Sequence, residues 1–126
     1  ESKDDKSTST GIINSFRKKN IDLIKLGMQR VTETEGTAAF LGKTSSYKIA
    51  AKTGTAQVFG LKKDEVYDEK KLPDHLKDHA LFIAYAPAEN PRLAIAIIVE
   101  NGGHGGSTAG PIAKKVFDTY LDKNYD

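Results

Sequence analysis

The chain has 126 residues, 38% of them hydrophobic and 29% charged, with a formal net charge of +2, which suffices for one small domain with one core. Its charges of both signs are mixed throughout, which leaves no basic face for nucleic acid, and the absence of cysteine excludes disulfides, thiolate catalysis and cysteine-ligated metals. No window approaches the roughly 18 uninterrupted apolar residues of a membrane span, and the opening Glu1-Ser2-Lys3-Asp4-Asp5-Lys6 carries no apolar signal region.

Residues 1–11 are mostly Ser, Thr, Lys and Asp, with little to bury, and read as a disordered or loop lead-in. From Asn20 the pattern turns helical: Ile21, Ile24, Met28 and Val31 share one face, Asn20 offers a cap and Gly36 a stop. This is read as a core-packing helix, in which Gly27 marks a close approach to a neighbour. Residues 36–43 then form a short helix or loop. Residues 48–59 read as a strand. Residues 61–77 mix acids and bases around Pro73 and read as a solvated insertion with a short helix near residues 73–78.

Residues 80–86 and 93–100 are two further strands joined by Pro87-Ala88-Glu89-Asn90-Pro91, an antiparallel hairpin. In the second, large residues alternate with alanines, so one face packs bulk and the other is expected to admit a helix closely. The last helix is predicted to take Ser107 or Thr108 as cap, to place Pro111 in its first turn, and to bury Ile112, Val116, Phe117, Tyr120 and Leu121. The fold class is therefore α/β of the α+β kind: helix, three antiparallel strands, helix.

The chemistry concentrates in Lys52-Thr53-Gly54, followed by Thr55-Ala56-Gln57 and preceded by the apolar Ile49-Ala50-Ala51. On a strand beside a cleft, such a sequence supplies an ammonium, hydroxyls and a close backbone approach, which suit a carboxylate and an oxyanion. Three other patterns are weaker. Gly36-Thr37-Ala38-Ala39-Phe40-Leu41-Gly42-Lys43-Thr44 has five residues between its glycines where a phosphate loop needs four. Gly102-Gly103-His104-Gly105-Gly106 reads as a tight strand-to-helix connection in preference to an anion nest. His75 and His79, four apart, give only half a zinc site, so no metal and no cofactor are assigned.

Residues 20–120 resemble the C-terminal part of class B penicillin-binding proteins, and within them the elongation-type penicillin-binding protein 2 group. The match is carried by residues 20–31 with Gly27-Met28, by Gly36-Thr37-Ala38, by Lys52-Thr53-Gly54-Thr55-Ala56-Gln57-Val58, and by Asp78-His79-Ala80-Leu81-Phe82 through Glu100-Asn101-Gly102-Gly103-His104-Gly105-Gly106. The resemblance implies the mixed fold of penicillin-binding proteins and serine β-lactamases with its sheet incomplete, and makes residues 12–126 the C-terminal part of a transpeptidase domain. It implies a peptidoglycan D,D-transpeptidase that cross-links stem peptides through an acyl-serine, is acylated by β-lactams and supports cell elongation and rod shape. The implied parent is anchored in the bacterial inner membrane, faces the periplasm and works with a glycosyltransferase of the SEDS family.

By the same resemblance Lys52 supplies positive potential for the donor carboxylate, the hydroxyls of Thr53 and Thr55 bind that carboxylate, and Gly54 lets the ligand lie against the backbone. The Thr55 amide provides half of an oxyanion hole, which makes Lys52 and Thr55 the catalytic assignments, while Gln57 and His104 are placed among the substrate-binding residues. A Ser-x-x-Lys nucleophile is expected upstream of Glu1. The two local matches do not serve: Ser15-Phe16-Arg17-Lys18 lies in a cationic stretch, and Ser45-Ser46-Tyr47-Lys48 runs straight into the Lys52 strand. No Ser-x-Asn occurs. A serine β-lactamase of the same fold, or a non-enzymatic binding module, stands as the alternative.

Overall fold

A computed structural model describes residues 17–58 and 72–121. The predicted lead-in, Ser15 of the first Ser-x-x-Lys, Phe59 and most of the mixed-charge insertion lie outside the described residues. The remaining elements follow the expected order: α1 (Lys18–Arg30), α2 (Ala39–Thr44), β1 (Ala50–Ala56), a 3-10 turn (Asp74–Leu76), β2 (His79–Ala86), β3 (Leu93–Val99) and α3 (Gly105–Leu121). The strands form an antiparallel sheet in the order β1-β2-β3.

Side chains alternate across a strand, so the register decides which residues share a face. Thr53 lies opposite Phe82, and Phe82 opposite Ile97; Lys52 lies opposite Ile83, and Ile83 opposite Ala96. The face carrying Ala51, Thr53, Phe82, Ala84, Ile95 and Ile97 is the one that α3 covers. Phe82, Phe117, Leu41, Ile49 and Leu121 are the largest fully buried side chains of the core. Each such burial contributes about 1.5–3 kcal/mol before entropy is counted. The Tyr47 hydroxyl donates to Asp118 Oδ1 at 2.6 Å, and Lys114 holds the other carboxylate oxygen at 2.6 Å, pinning α3 to the chain that leads into β1.

Several expectations about the helices and their packing need correction. α1 begins at Lys18 with Arg17 in the cap position, ahead of Asn20, and ends at Arg30, ahead of Gly36. It buries no residue fully; Ile24 is 63% exposed, and nothing lies within 4 Å of where a Cβ on Gly27 would be. Its apolar face is only half covered among the described residues. In β3 the large residues, and not the alanines, face α3; Ala94 and Ala96 are exposed. Close packing comes instead from the small residues of α3 itself, Gly106, Ala109, Gly110 and Ala113, all buried.

α3 starts earlier than predicted, at Gly105, with the His104 carbonyl accepting the first helical bond from the Thr108 amide at 3.0 Å. Pro111 therefore falls inside the helix, past the first turn, where it cannot donate to the Ser107 carbonyl. Phe117 and Leu121 are buried as expected, but Ile112, Val116 and Tyr120 are exposed. The stripe Ala109, Ala113, Phe117, Leu121 takes the sheet, and the second apolar row turns aside from it.

The opposite sheet face is open around Ile83 and Ile98, although Ala50 on that side is buried. Ile83 and Ile98 are 51% and 67% exposed there, on the same side as Lys52. On that face too, Tyr85 has a buried hydroxyl with no hydrogen-bond partner among the described residues, and burial pushes its phenol pKa up.

Candidate functional site

β1 pairs only with β2, so its other edge is unpaired among the described residues. Lys52, Gly54 and Ala56 point to the open face, while Thr53 and Thr55 point to the α3 side. Lys52 is exposed, and its Nζ folds back to donate to the Thr53 carbonyl on its own strand. The ammonium thus lies against the Thr53 carbonyl, while the Thr53 and Thr55 side chains leave the strand on the other face.

Thr53 is where three segments meet. Its hydroxyl lies 3.3 Å from that of Thr37, which is carried on the turn after α1 and held by the Ala38 amide bonded to the Val31 carbonyl at 2.9 Å. The first turn of α3 closes on the same point. A Cβ on Gly106 would stand 2.9 Å from the Thr37 carbonyl oxygen and 3.4 Å from Thr53 Cγ2, and one on Gly105 would overlap the Leu81 carbonyl oxygen and stand 2.7 Å from that of Gly54. Only glycine lets the helix start so close to β1. Hydroxyls of Thr37, Thr53 and the exposed Thr55, beside the positive end of α3 and with Lys52 at the edge, form a polarity suited to a carboxylate.

His104 is exposed at the cap position of α3, and Gln57 is exposed just beyond β1. The connection before His104 is the tight one predicted, and its amides are spent within the chain: Gly102 on the Val99 carbonyl at 3.2 Å and Gly103 on that of Asp78 at 2.8 Å. Thr108, expected as a cap, instead returns its hydroxyl to the Gly102 carbonyl at 2.7 Å. The phosphate-loop pattern is likewise closed, with the amides of Gly36, Ala38, Ala39 and Leu41 all bonded to nearby carbonyls.

The second Ser-x-x-Lys has no helix. Ser45 caps the end of α2 with φ −105 and ψ 143, and Lys48 pairs with Glu89 at 3.3 Å. His75 lies in the 3-10 turn whereas His79 already belongs to β2, so the two imidazoles do not share a helix face. His79 is hydrogen-bonded: its Nδ1 accepts the Asn101 amide at 2.9 Å.

Two residues at this end of the sheet escaped the sequence reading. Thr37 sat inside a matching segment, Gly36-Thr37-Ala38, but its pairing with Thr53 spans 16 residues. Asn101 precedes two glycines at a strand end, a signal for left-handed backbone, and adopts φ 54.

Residues 6–118 match the family described as penicillin binding protein transpeptidase domain. The chain is 47% identical over 91 residues to the peptidoglycan D,D-transpeptidase MrdA of Salmonella typhimurium, covering 72% of this chain and 15% of that protein. Among solved structures it resembles penicillin-binding protein 2 of Helicobacter pylori in complex with MreC, with a TM-score of 0.72 and 34% identity over 90% of this chain and 19% of that one. It also resembles penicillin-binding protein A of Mycobacterium tuberculosis in a ceftriaxone acyl-enzyme complex, with a TM-score of 0.56 and 34% identity over 78% of this chain and 20% of that one. The chain spans about 15% of the length of the curated relatives it matches. A helix-flanked antiparallel sheet with Lys52-Thr53-Gly54 on its edge strand, matched over residues 6–118, places this chain in the penicillin-binding protein transpeptidase domain family.

Proposed function

We propose that this chain is the substrate-holding wall of a peptidoglycan D,D-transpeptidase, the nucleophile being carried by the rest of the parent protein. The carrying observation is the convergence of Thr37, β1 and the first turn of α3 on Thr53, with Lys52 at the free strand edge. In this reading Thr53 and Thr55 hold the terminal carboxylate of a stem peptide or the carboxylate of a β-lactam, and Lys52 supplies the compensating charge. The Thr55 amide serves as half of the oxyanion hole while an acyl-serine forms and is passed to the acceptor amine. Gly54 leaves the backbone accessible; Gln57 and His104 border the ligand. An unpaired strand edge also accepts an extended peptide through main-chain bonds.

The rest of the transpeptidase domain covers the open sheet face. The exposed Ile83 and Ile98 support this, because an apolar face of that kind is a covered surface in a stable protein. No helix among the described residues is long and apolar enough to cross a membrane, and the reading puts the anchor elsewhere in the parent. The parent faces the periplasm from the inner membrane and acts in elongation and rod shape with a SEDS-family glycosyltransferase. The complex of the Helicobacter pylori relative with MreC agrees with work in a larger assembly.

Fluorescent penicillin tests the assignment. The intact parent is expected to be labelled covalently and the isolated 126 residues not at all. Labelling of the isolated chain would place the nucleophile within it and overturn the division of labour.

A further inference from the structure

One residue ties the connection from β3 to α3 to the turn before β2 with all its donors. Asn101 follows β3 with φ 54, a conformation asparagine adopts more readily than most residues with a side chain. So turned, its backbone amide reaches His79 Nδ1 at 2.9 Å, and its side-chain nitrogen donates to the carbonyls of Lys77 at 2.8 Å and His75 at 3.1 Å. All the hydrogen-bond donors of Asn101 therefore fall on residues 75–79, the turn that leads into β2. A nitrogen that accepts carries no proton, so this contact uses the neutral His79 imidazole with its proton on Nε2. The Gly103 amide adds a further bond to the Asp78 carbonyl at 2.8 Å.

This clasp lies at the end of the sheet where the motif strand finishes, since His79 pairs with Ala56, and Ala80 with both Thr55 and Val99. Downstream there is no slack. Gly105 is pressed against the carbonyls of Leu81 and Gly54, and Gly106 lies between Thr37 and Thr53. A displacement of the connection meets backbone oxygens of β1 and β2 at Gly105 and the Thr53 side chain at Gly106, so it passes to β1.

We propose that Asn101 is a positioning residue for the carboxylate-holding strand. By clasping the turn before β2 it sets where His104 and the first turn of α3 lie against Gly54 and Thr53, and so how the hydroxyls of Thr53 and Thr37 are presented. The inference rests on the reading of β1 as the carboxylate-holding strand of an acyl-transfer site.

The test compares, in the intact parent protein, the second-order rate of acylation by penicillin G with that by its methyl ester, which has the same ring and no free carboxylate. Asn101→Asp keeps the size and left-handed backbone but turns a carboxylate toward two carbonyls. It is expected to slow penicillin G about 10-fold or more, as the loss of two hydrogen bonds implies, and to change the ester far less. Asn101→Gly, which keeps the backbone and removes the amide, is expected to show the same split if the Asp variant folds poorly. At the other end of the clasp, His79→Asn, whose Oδ1 replaces the accepting Nδ1, should retain faster penicillin G acylation than His79→Gln, whose oxygen falls near Nε2.

An unchanged rate in both Asn101 variants, an equal slowing of acid and ester, or equal rates for the two His79 variants would overturn the proposal. A wild-type parent that is not acylated, or that shows no preference for the acid over the ester, would instead refute the reading of β1 beneath it.

Discussion

The hydroxyls of Thr37 and Thr53 stand 3.3 Å apart, joining the turn after α1 to the motif strand. A hydroxyl tied to another hydroxyl keeps a defined direction, and here the second one is supplied by a residue with no other assigned role. Thr37→Val in the intact parent is expected to slow acylation by a carboxylate-bearing β-lactam about 2- to 10-fold, the range of one ordinary hydrogen bond, with the unfolding temperature little changed because Thr37 is exposed. Stopped-flow acylation beside a thermal melt measures both; an unaltered rate would detach Thr37 from the site.

Lys52 is exposed, and its ammonium donates to the Thr53 carbonyl of its own strand. Its removal should cost chemistry and not stability. Lys52→Ala in the parent is expected to lower the acylation rate on the order of 100-fold, the scale of losing one electrostatic contact to developing charge. Unchanged labelling kinetics would sink the role given to this ammonium.

Two glycines predict opposite outcomes. Gly27 is in α1 with open space around it, so Gly27→Ala should stabilise by up to about 1 kcal/mol through helix propensity. Gly105→Ala would drive a methyl group into the carbonyls of Leu81 and Gly54 and should cost about 1–3 kcal/mol while slowing acylation. Denaturant unfolding of both variants of the parent decides it, and a harmless Gly105→Ala would mean that α3 does not start against β1 as described.

The Asp118 carboxylate links Tyr47 and Lys114. Burial acts to raise its pKa, but the hydrogen bonds from Lys114 and Tyr47 and the Lys114 charge outweigh burial and leave it lowered. A carboxylate with a lowered folded-state pKa contributes stability that is present above its unfolded-state value and lost as pH falls through the folded-state value. Asp118→Asn should therefore cost under about 1 kcal/mol at neutral pH, given its partial exposure and solvent screening. The gap to the wild type should close below the ordinary carboxylate range of about pH 4. A difference that is constant from neutral to acid pH would contradict the ionic clasp.

The element order, the motif strand and the β2–β3 hairpin were legible because period-two alternation and turn residues such as Pro87 and Pro91 are local signals. The caps were not. Asn20 and Ser107 have the right chemistry for a cap, but each helix starts earlier, and in α3 the start is fixed by the contact of Gly105 with β1 and β2. The inward face of α3 was half legible: Ile112 and Phe117 are equally apolar to a pattern, and Ala109 and Ala113 decide which row approaches the sheet. Thr37 and Asn101 act through contacts 16 and 22 residues away, which no local pattern encodes.

Because Lys52 and Thr53 leave β1 on opposite sides, the strand tolerates no slip against β2. A shift of one position would exchange the ammonium for the hydroxyl and, in the same movement, carry Ala51 out of the core. The burial that stabilises the sheet thus also proofreads the chemistry proposed for it: a misregistered strand is penalised by the core before it can present the wrong group at the edge.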